Sequence, residues 1–215
     1  MEKILTKIVC HDMLHARWLN TLSFMENMGA RKISACEDST HVSIVQLKHA
    51  AEEHRHAYYL KKQIKKIAAD ICPSYQMEEL LAAVETRQYL KRLDNQVSRY
   101  MKKTFQLSGA ELKYAGYLFV TYVIEVRADL LYPVYQDVLT RSCSKVMVKS
   151  IILEEEGHLE EMIAQLSEFD VDWQRHADRL LSMEHQLFHR WVLALEQDIH
   201  RYEAAVGTDT KIVRT

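Results

Sequence analysis

A chain of 215 residues with 48% hydrophobic and 27% charged side chains is long enough for one sizeable core and too apolar for disorder. Only 5 Gly and 2 Pro punctuate it, which argues against a turn-rich sandwich, a barrel or a repeated strand-helix unit and leaves long helices as the expectation. A formal net charge of -2 offers nucleic acid no broad attraction, and the run Lys61, Lys62, Lys65 and Lys66 reads as a solvated helix face, so no nucleic-acid partner is expected.

The four cysteines, Cys10, Cys36, Cys72 and Cys143, form no Cys-x-x-Cys pair, so they suggest neither a zinc site nor a disulfide framework and suit a reducing cytoplasm. Glu2, Lys3 and Lys7 interrupt the first apolar residues, unlike the apolar core of a secretory leader. No stretch reaches the ~20 mostly apolar residues that a membrane span needs.

In chain order, Ile4, Ile8, Leu14, Trp18, Leu22 and Met25 recur at helical steps and predict a first helix over about Lys3 to Ala35. A polar break at Glu37 to Thr40 precedes a second helix, about His41 to Cys72, which Pro73 and Ser74 stop. A third, strongly charged helix covers about Tyr75 to Lys103. Ser108 and Glu111 have the spacing of a capping box and open a fourth, which runs to about Thr140 with Pro133 as a kink or early end. A fifth helix over about Ser144 to Glu168 and a sixth over about Val171 to Ala205 complete a single domain, residues 1–215, with a flexible tail from about 207.

Two Glu-x-x-His motifs stand out, Glu53 with His56 and Glu155 with His158. Residues three apart share a helix face, so each motif can aim a carboxylate and an imidazole at one point. Spacing selects Glu53 over Glu52, and Glu155 over Glu154 and Glu156. Chance alone would place His three residues after Glu about once in such a composition, so the order of the motifs carries more weight. A lone Glu26 sits in the apolar stretch Leu22 to Met28, and a lone Glu125 interrupts Tyr117 to Val126. The chain thus reads Glu, Glu-x-x-His, a long gap, Glu, Glu-x-x-His. At ~1.5 Å per residue, Glu26 and Glu53 both lie ~15 to 20 Å from their connecting turn and can meet across an antiparallel pair. Glu125 and Glu155, at ~24 and ~18 Å from theirs, agree more loosely.

In this order the chain resembles the ferritin-like di-iron carboxylate proteins, over about Ala16 to Leu166. Glu154-Glu155-Glu156-Gly157-His158 also looks like the acidic segment of the bacterioferritin and rubrerythrin branches. The resemblance implies an all-α, ferritin-like four-helix bundle. Its long crossover contains an extra helix, and an additional helix follows at the C-terminus. The implied metal ligands are Glu26, Glu53, His56, Glu125, Glu155 and His158, holding two Fe ions or a Mn/Fe pair. Four carboxylates offset two divalent charges, and the mixed oxygen and nitrogen donors suit iron or manganese. His49 lies one turn before Glu53, and Tyr122 and Asp129 flank Glu125 on its face. These three are candidates for orienting ligands or relaying electrons, with core packing as the plainer role for His49 and Tyr122. The pairs His11/His15 and His185/His189 are read as surface or packing residues. Ser23, Gly29 and Ala30, one turn either side of Glu26, are expected to leave room for oxygen or substrate.

The first expectation for function is an oxidoreductase that uses O2 as co-substrate to oxidise or oxygenate a small organic molecule, drawing on an electron donor if it is an oxygenase. A monomer or homodimer with a substrate channel goes with that reading. An assembled cage goes with the alternative, a ferroxidase or bacterioferritin-like iron-binding protein without an organic substrate.

Overall fold

The computed structural model describes residues 1–41 and 43–212, without the side chains of 207–212. Among the described residues there are seven α-helices, one 3-10 turn and no strand. The helices are α1 (Glu2–Val9), α2 (Asp12–Ala35), α3 (Ile44–Ile64), α4 (Ala83–Phe105), α5 (Gly109–Arg141), α6 (Lys149–Phe169) and α7 (Trp173–Ile212). None is long and apolar enough to cross a membrane. The expected tail from about 207 keeps helical backbone to Ile212 and otherwise lies outside the described residues.

Two hairpins frame the molecule, with α2 packed chiefly on α3 and α5 on α6, and α4 lies in the crossover that joins them. The expected first helix is interrupted: His11 is extended (φ -128°, ψ 112°), and α1 turns back to bury Ile4, Leu5 and Ile8 against α2, α5 and α7. The second helix stops at Ile64, short of the residues before Pro73, and the chain then turns through left-handed Asp70 and Cys72. The third begins only at Ala83, because α2 claims the backbone before it. Asn20 donates to the carbonyls of Ser74 and Glu79, each at 2.9 Å, and Arg17 donates to that of Leu80 at 2.7 Å. The Leu81 N–H donates to the Thr21 hydroxyl at 2.8 Å. Asn20 and Thr21 are buried on α2, with Arg17 half-buried beside them, and need partners, so an irregular crossover satisfies both sides.

Ser108 stands at the start of α5 but its side chain makes no capping bond, so the expected capping box does not form. Helix α5 continues through Pro133, which is exposed, so the carbonyl of Asp129 that loses its intrahelical donor faces solvent. Buried residues cover α5 broadly, including Ala115, Leu118, Phe119, Val120 and Val123, which makes it the central helix. Helix α7 joins the bundle through Trp191, stacked on Trp18 of α2 with ring centroids 5.6 Å apart.

Candidate metal centre

Four helices bring the six singled-out residues together. Glu26 and Glu53 stand equally far from the loop between α2 and α3, counted from Ala35 and Ile44, so they meet across the hairpin. The α5/α6 hairpin is less symmetric in sequence, and residues 142–148 absorb the difference. The Val148 N–H donates to the Gln136 side chain at 2.8 Å, which sets the start of α6 beside the last turns of α5.

The donor atoms of Glu26, Glu53, His56 and Glu155 lie within 4.8 Å of one another, and so do those of Glu53, Glu125, Glu155 and His158. Glu53 and Glu155 belong to both groups. The pattern is therefore two adjoining sites, each with its own Glu and His, that share two carboxylates. His56 Nδ1 is 3.1 Å from Glu155, and His158 Nδ1 is 3.4 Å from Glu155 and 3.7 Å from Glu125. Glu53, His56, Glu125, Glu155 and His158 are buried, while Glu26 is partly exposed to an adjoining cavity.

The outer faces of the two imidazoles are tied in a reciprocal way. His56 Nε2 of α3 is 2.8 Å from Glu154 of α6, and His158 Nε2 of α6 is 2.7 Å from Glu52 of α3. A carboxylate accepts only, so each fixes the proton on Nε2 and turns Nδ1 inward. Arg55 lies between the two outer acids, 2.6 Å from Glu154 and 3.4 Å from Glu52. Glu52 and Glu154 entered the sequence reading only as competitors of their neighbours. The signal that could have found them is the repeat itself, because both motifs read Glu-Glu-x-x-His.

Fully buried His49 lies against His158, ring centroids 4.6 Å apart. Its nitrogens are taken by Glu161 at 2.8 Å and the Tyr117 hydroxyl at 3.2 Å, so it buttresses a site imidazole without being a seventh donor. Tyr122 and Asp129 do not reach the cluster: Tyr122 lies edge-on to Trp173 and Asp129 is exposed. The inward face of α5 is rotated to the other side of Glu125, through Thr121, Ala128 and Tyr132, all of which line the cavity. At about 100° per residue, positions 122 and 129 fall on the far side of Glu125 from that face. Tyr132, which the sequence reading missed, donates its hydroxyl hydrogen to Glu26.

The electrostatics set the cluster apart from the other buried acids. Among the described residues no Lys or Arg pairs with Glu26, Glu53, Glu125 or Glu155, and His56 and His158 are the only basic neighbours. Burial pushes the Glu26, Glu53 and Glu125 carboxyls up, Glu53 and Glu125 well above the usual range, and neighbouring carboxylates add to the rise. Burial also opposes charge on Glu155, but contacts from Glu125, His158 and His56 outweigh it and hold that carboxyl below its ordinary value. His158 is pulled down by burial, yet Glu125 and Glu155 raise it to about 11, and Glu155 likewise raises His56. Even so, His56 Nδ1, His158 Nδ1, Glu125 Oε2 and Glu155 Oε2 are buried without a hydrogen bond. Four orphaned donor atoms gathered around two adjoining points are costly unless cations sit among them. The donor set fits two divalent ions that share Glu53 and Glu155.

The cavity opens beside Glu26, Glu53, Glu125 and Glu155, encloses about 90 Å³, and is otherwise lined mainly by apolar side chains of α2, α4 and α5. Of the three small residues expected to make room, only Gly29 contributes, and a Cβ there would meet Glu53 at 3.8 Å. Ser23 is sealed in the helix interface, donating to the Ala57 carbonyl at 2.6 Å, and Ala30 is buried in the core.

Comparison with protein families, curated proteins and solved structures finds no match for this chain. What stands is an all-helical protein with a buried acidic and histidine group able to hold metal.

Proposed function

We propose that this is a ferritin-like dinuclear metal protein that uses O2 to oxidise a small organic substrate. Glu26 and His56 would serve one ion, Glu125 and His158 the other, and Glu53 and Glu155 both, with iron or a Mn/Fe pair as the metal. The observation that carries this reading is the pair of four-residue groups sharing two carboxylates. When bound and reduced, the metal pair would pass electrons to O2 and supply Lewis acidity, with the organic substrate and, for an oxygenase, an external electron donor as the net source of electrons. The chain's own residues do the rest. Glu52 and Glu154 hold the imidazole protons at Nε2, Tyr132 donates to Glu26 at the cavity edge, and the apolar lining keeps bulk water from the inner carboxylates. The cavity also favours an organic substrate over iron storage, since a path for hydrated iron would be polar.

Metal analysis of protein loaded anaerobically with ferrous ion tests the centre. Two ions per chain are expected in the wild type, and none bound tightly in Glu155→Ala, whose carboxylate serves both sites. His56→Ala should weaken one ion more than the other, with helicity unchanged in both variants. No metal in the wild type would sink the reading. Two ions with O2 uptake limited to ferrous oxidation, in a cage-like assembly, would select the ferroxidase instead.

A further inference from the structure

Three cationic side chains line the cavity beside the candidate centre, and two of them are already neutralised. Lys32 is 2.6 Å from Asp94, and Arg127 makes two bonds to Glu184, at 2.8 and 2.6 Å. Arg87 differs. It is an exposed residue of α4 that lies over the Phe24 ring, 5.2 Å from its centroid, and donates only to the neutral carbonyl of Tyr75. Among the described residues it pairs with no carboxylate. The inner end of the same cavity is formed by Glu26, Glu53, Glu125 and Glu155, whose four charges two divalent ions would balance. The unbalanced charge of the cavity is then the guanidinium at its outer end. Between the two ends the walls are apolar, from Leu22, Met25, Leu90, Val120, Ile124 and Leu131.

We infer that the cavity takes an aliphatic monocarboxylic acid of medium length, with the carboxylate held by Arg87 and the chain end directed at Glu26 and Glu53. This rests on the proposed centre, whose two ions would balance the inner carboxylates and leave Arg87 as the uncompensated charge. A guanidinium presents a fork of N–H donors that matches a carboxylate and is always charged. A cationic ligand would meet repulsion at the mouth, and an uncharged one would gain no ion pair there. A single arginine also suits one negative charge better than a phosphate dianion. The space of about 90 Å³ is several times what one water needs, which suits an alkyl chain of medium length.

Calorimetric titration with the straight-chain acids from butanoate to dodecanoate, and with the matching 1-alkanols and alkylamines, tests this on both metal-free and metal-loaded protein. Affinity should rise about fourfold per methylene, from about 0.8 kcal/mol per buried CH2, and level off near eight carbons. Octanoate should bind at least tenfold more tightly than octanol, and octylamine least in the metal-loaded protein, where the inner carboxylates are balanced. Arg87→Gln should reduce octanoate to the affinity of octanol and leave octanol unchanged, while Ala128→Phe, at the cavity wall, should weaken both. Equal binding of octanoate and octanol to the wild type would overturn the assignment without any variant. Affinity indifferent to chain length, or octanoate binding unaltered in Arg87→Gln, would also overturn it. The two proposals fail separately: acid binding to a protein that takes up no metal removes only the centre, and two bound ions without acid binding removes only the ligand.

Discussion

Two buried acidic regions of this bundle solve the same electrostatic problem differently. Glu184 on α7 is 1% exposed and has its counter-charge built in: Arg127 grips both of its oxygens, Tyr89 donates to it, and Phe188 covers the guanidinium at 3.9 Å. The cluster of Glu26, Glu53, Glu125 and Glu155 is buried apart from Glu26 at the cavity edge, yet it has no arginine or lysine partner among the described residues, and with His56 and His158 it leaves four buried polar atoms without a hydrogen bond. An acid that serves the fold brings its own cation. The cluster brings only His56 and His158, so its remaining charge is left to protons or to the proposed ions.

The largest expected effect separates the two regions by stability. Glu184→Ala strands Arg127 and should destabilise the protein by about 3–5 kcal/mol in urea unfolding, with its capacity for two metal ions retained. A smaller effect is expected at the outer acids. Glu154→Ala should weaken the ion served by His56, and Glu52→Ala the one served by His158, each by about 10–100-fold in competition with a chelator, with little change in fold stability. If both variants weakened both ions equally, the reciprocal arrangement would have no separate meaning for each site.

Glu53→Gln should act in the opposite sense to Glu184→Ala. It abolishes tight metal binding but stabilises the metal-free protein in urea unfolding, since burial and the neighbouring carboxylates oppose charge on Glu53. The sign of the pH dependence follows from the same groups. The Glu53 and Glu125 carboxyls are raised on folding, mainly by burial. Their contribution is therefore most favourable below the ordinary carboxyl range and is lost as pH rises through their folded values. His158, raised to about 11 by Glu125 and Glu155 against the effect of burial, acts in the same direction above its ordinary value. Metal-free protein should lose stability as pH rises above neutrality, and Glu53→Gln should flatten that decline. Metal loading should release protons, measurable by pH-stat titration, and should tighten with rising pH. The smallest effect is at the cavity edge, where Tyr132→Phe removes one hydrogen bond to Glu26. It should cost about 1 kcal/mol, or roughly fivefold, in the affinity of the ion that Glu26 serves.

The face that each helix turns to the cluster was legible in the order Glu, Glu-x-x-His, Glu, Glu-x-x-His because helical period is a local property. Residues three apart share a face wherever a helix forms, so Glu53 with His56 and Glu155 with His158 needed no knowledge of their neighbours. The equal spans from Glu26 and Glu53 to their shared loop followed from helical rise alone. What depended on contacts between distant segments was not legible. Arg17, Asn20 and Thr21 on α2 hold residues 74–81 out of helix, although that stretch has enough helix-forming residues to suggest otherwise. The inward rotation of α5 chose Tyr132 over Tyr122 and Asp129, which spacing from Glu125 could not do. The exchange of outer acids between α3 and α6, and the pairing that leaves Arg87 with neutral partners while Lys32 and Arg127 find carboxylates, join residues from 12 to 106 positions apart. A one-dimensional pattern records which side chains share a face. Which faces meet, and which charges are then neutralised, is settled by packing.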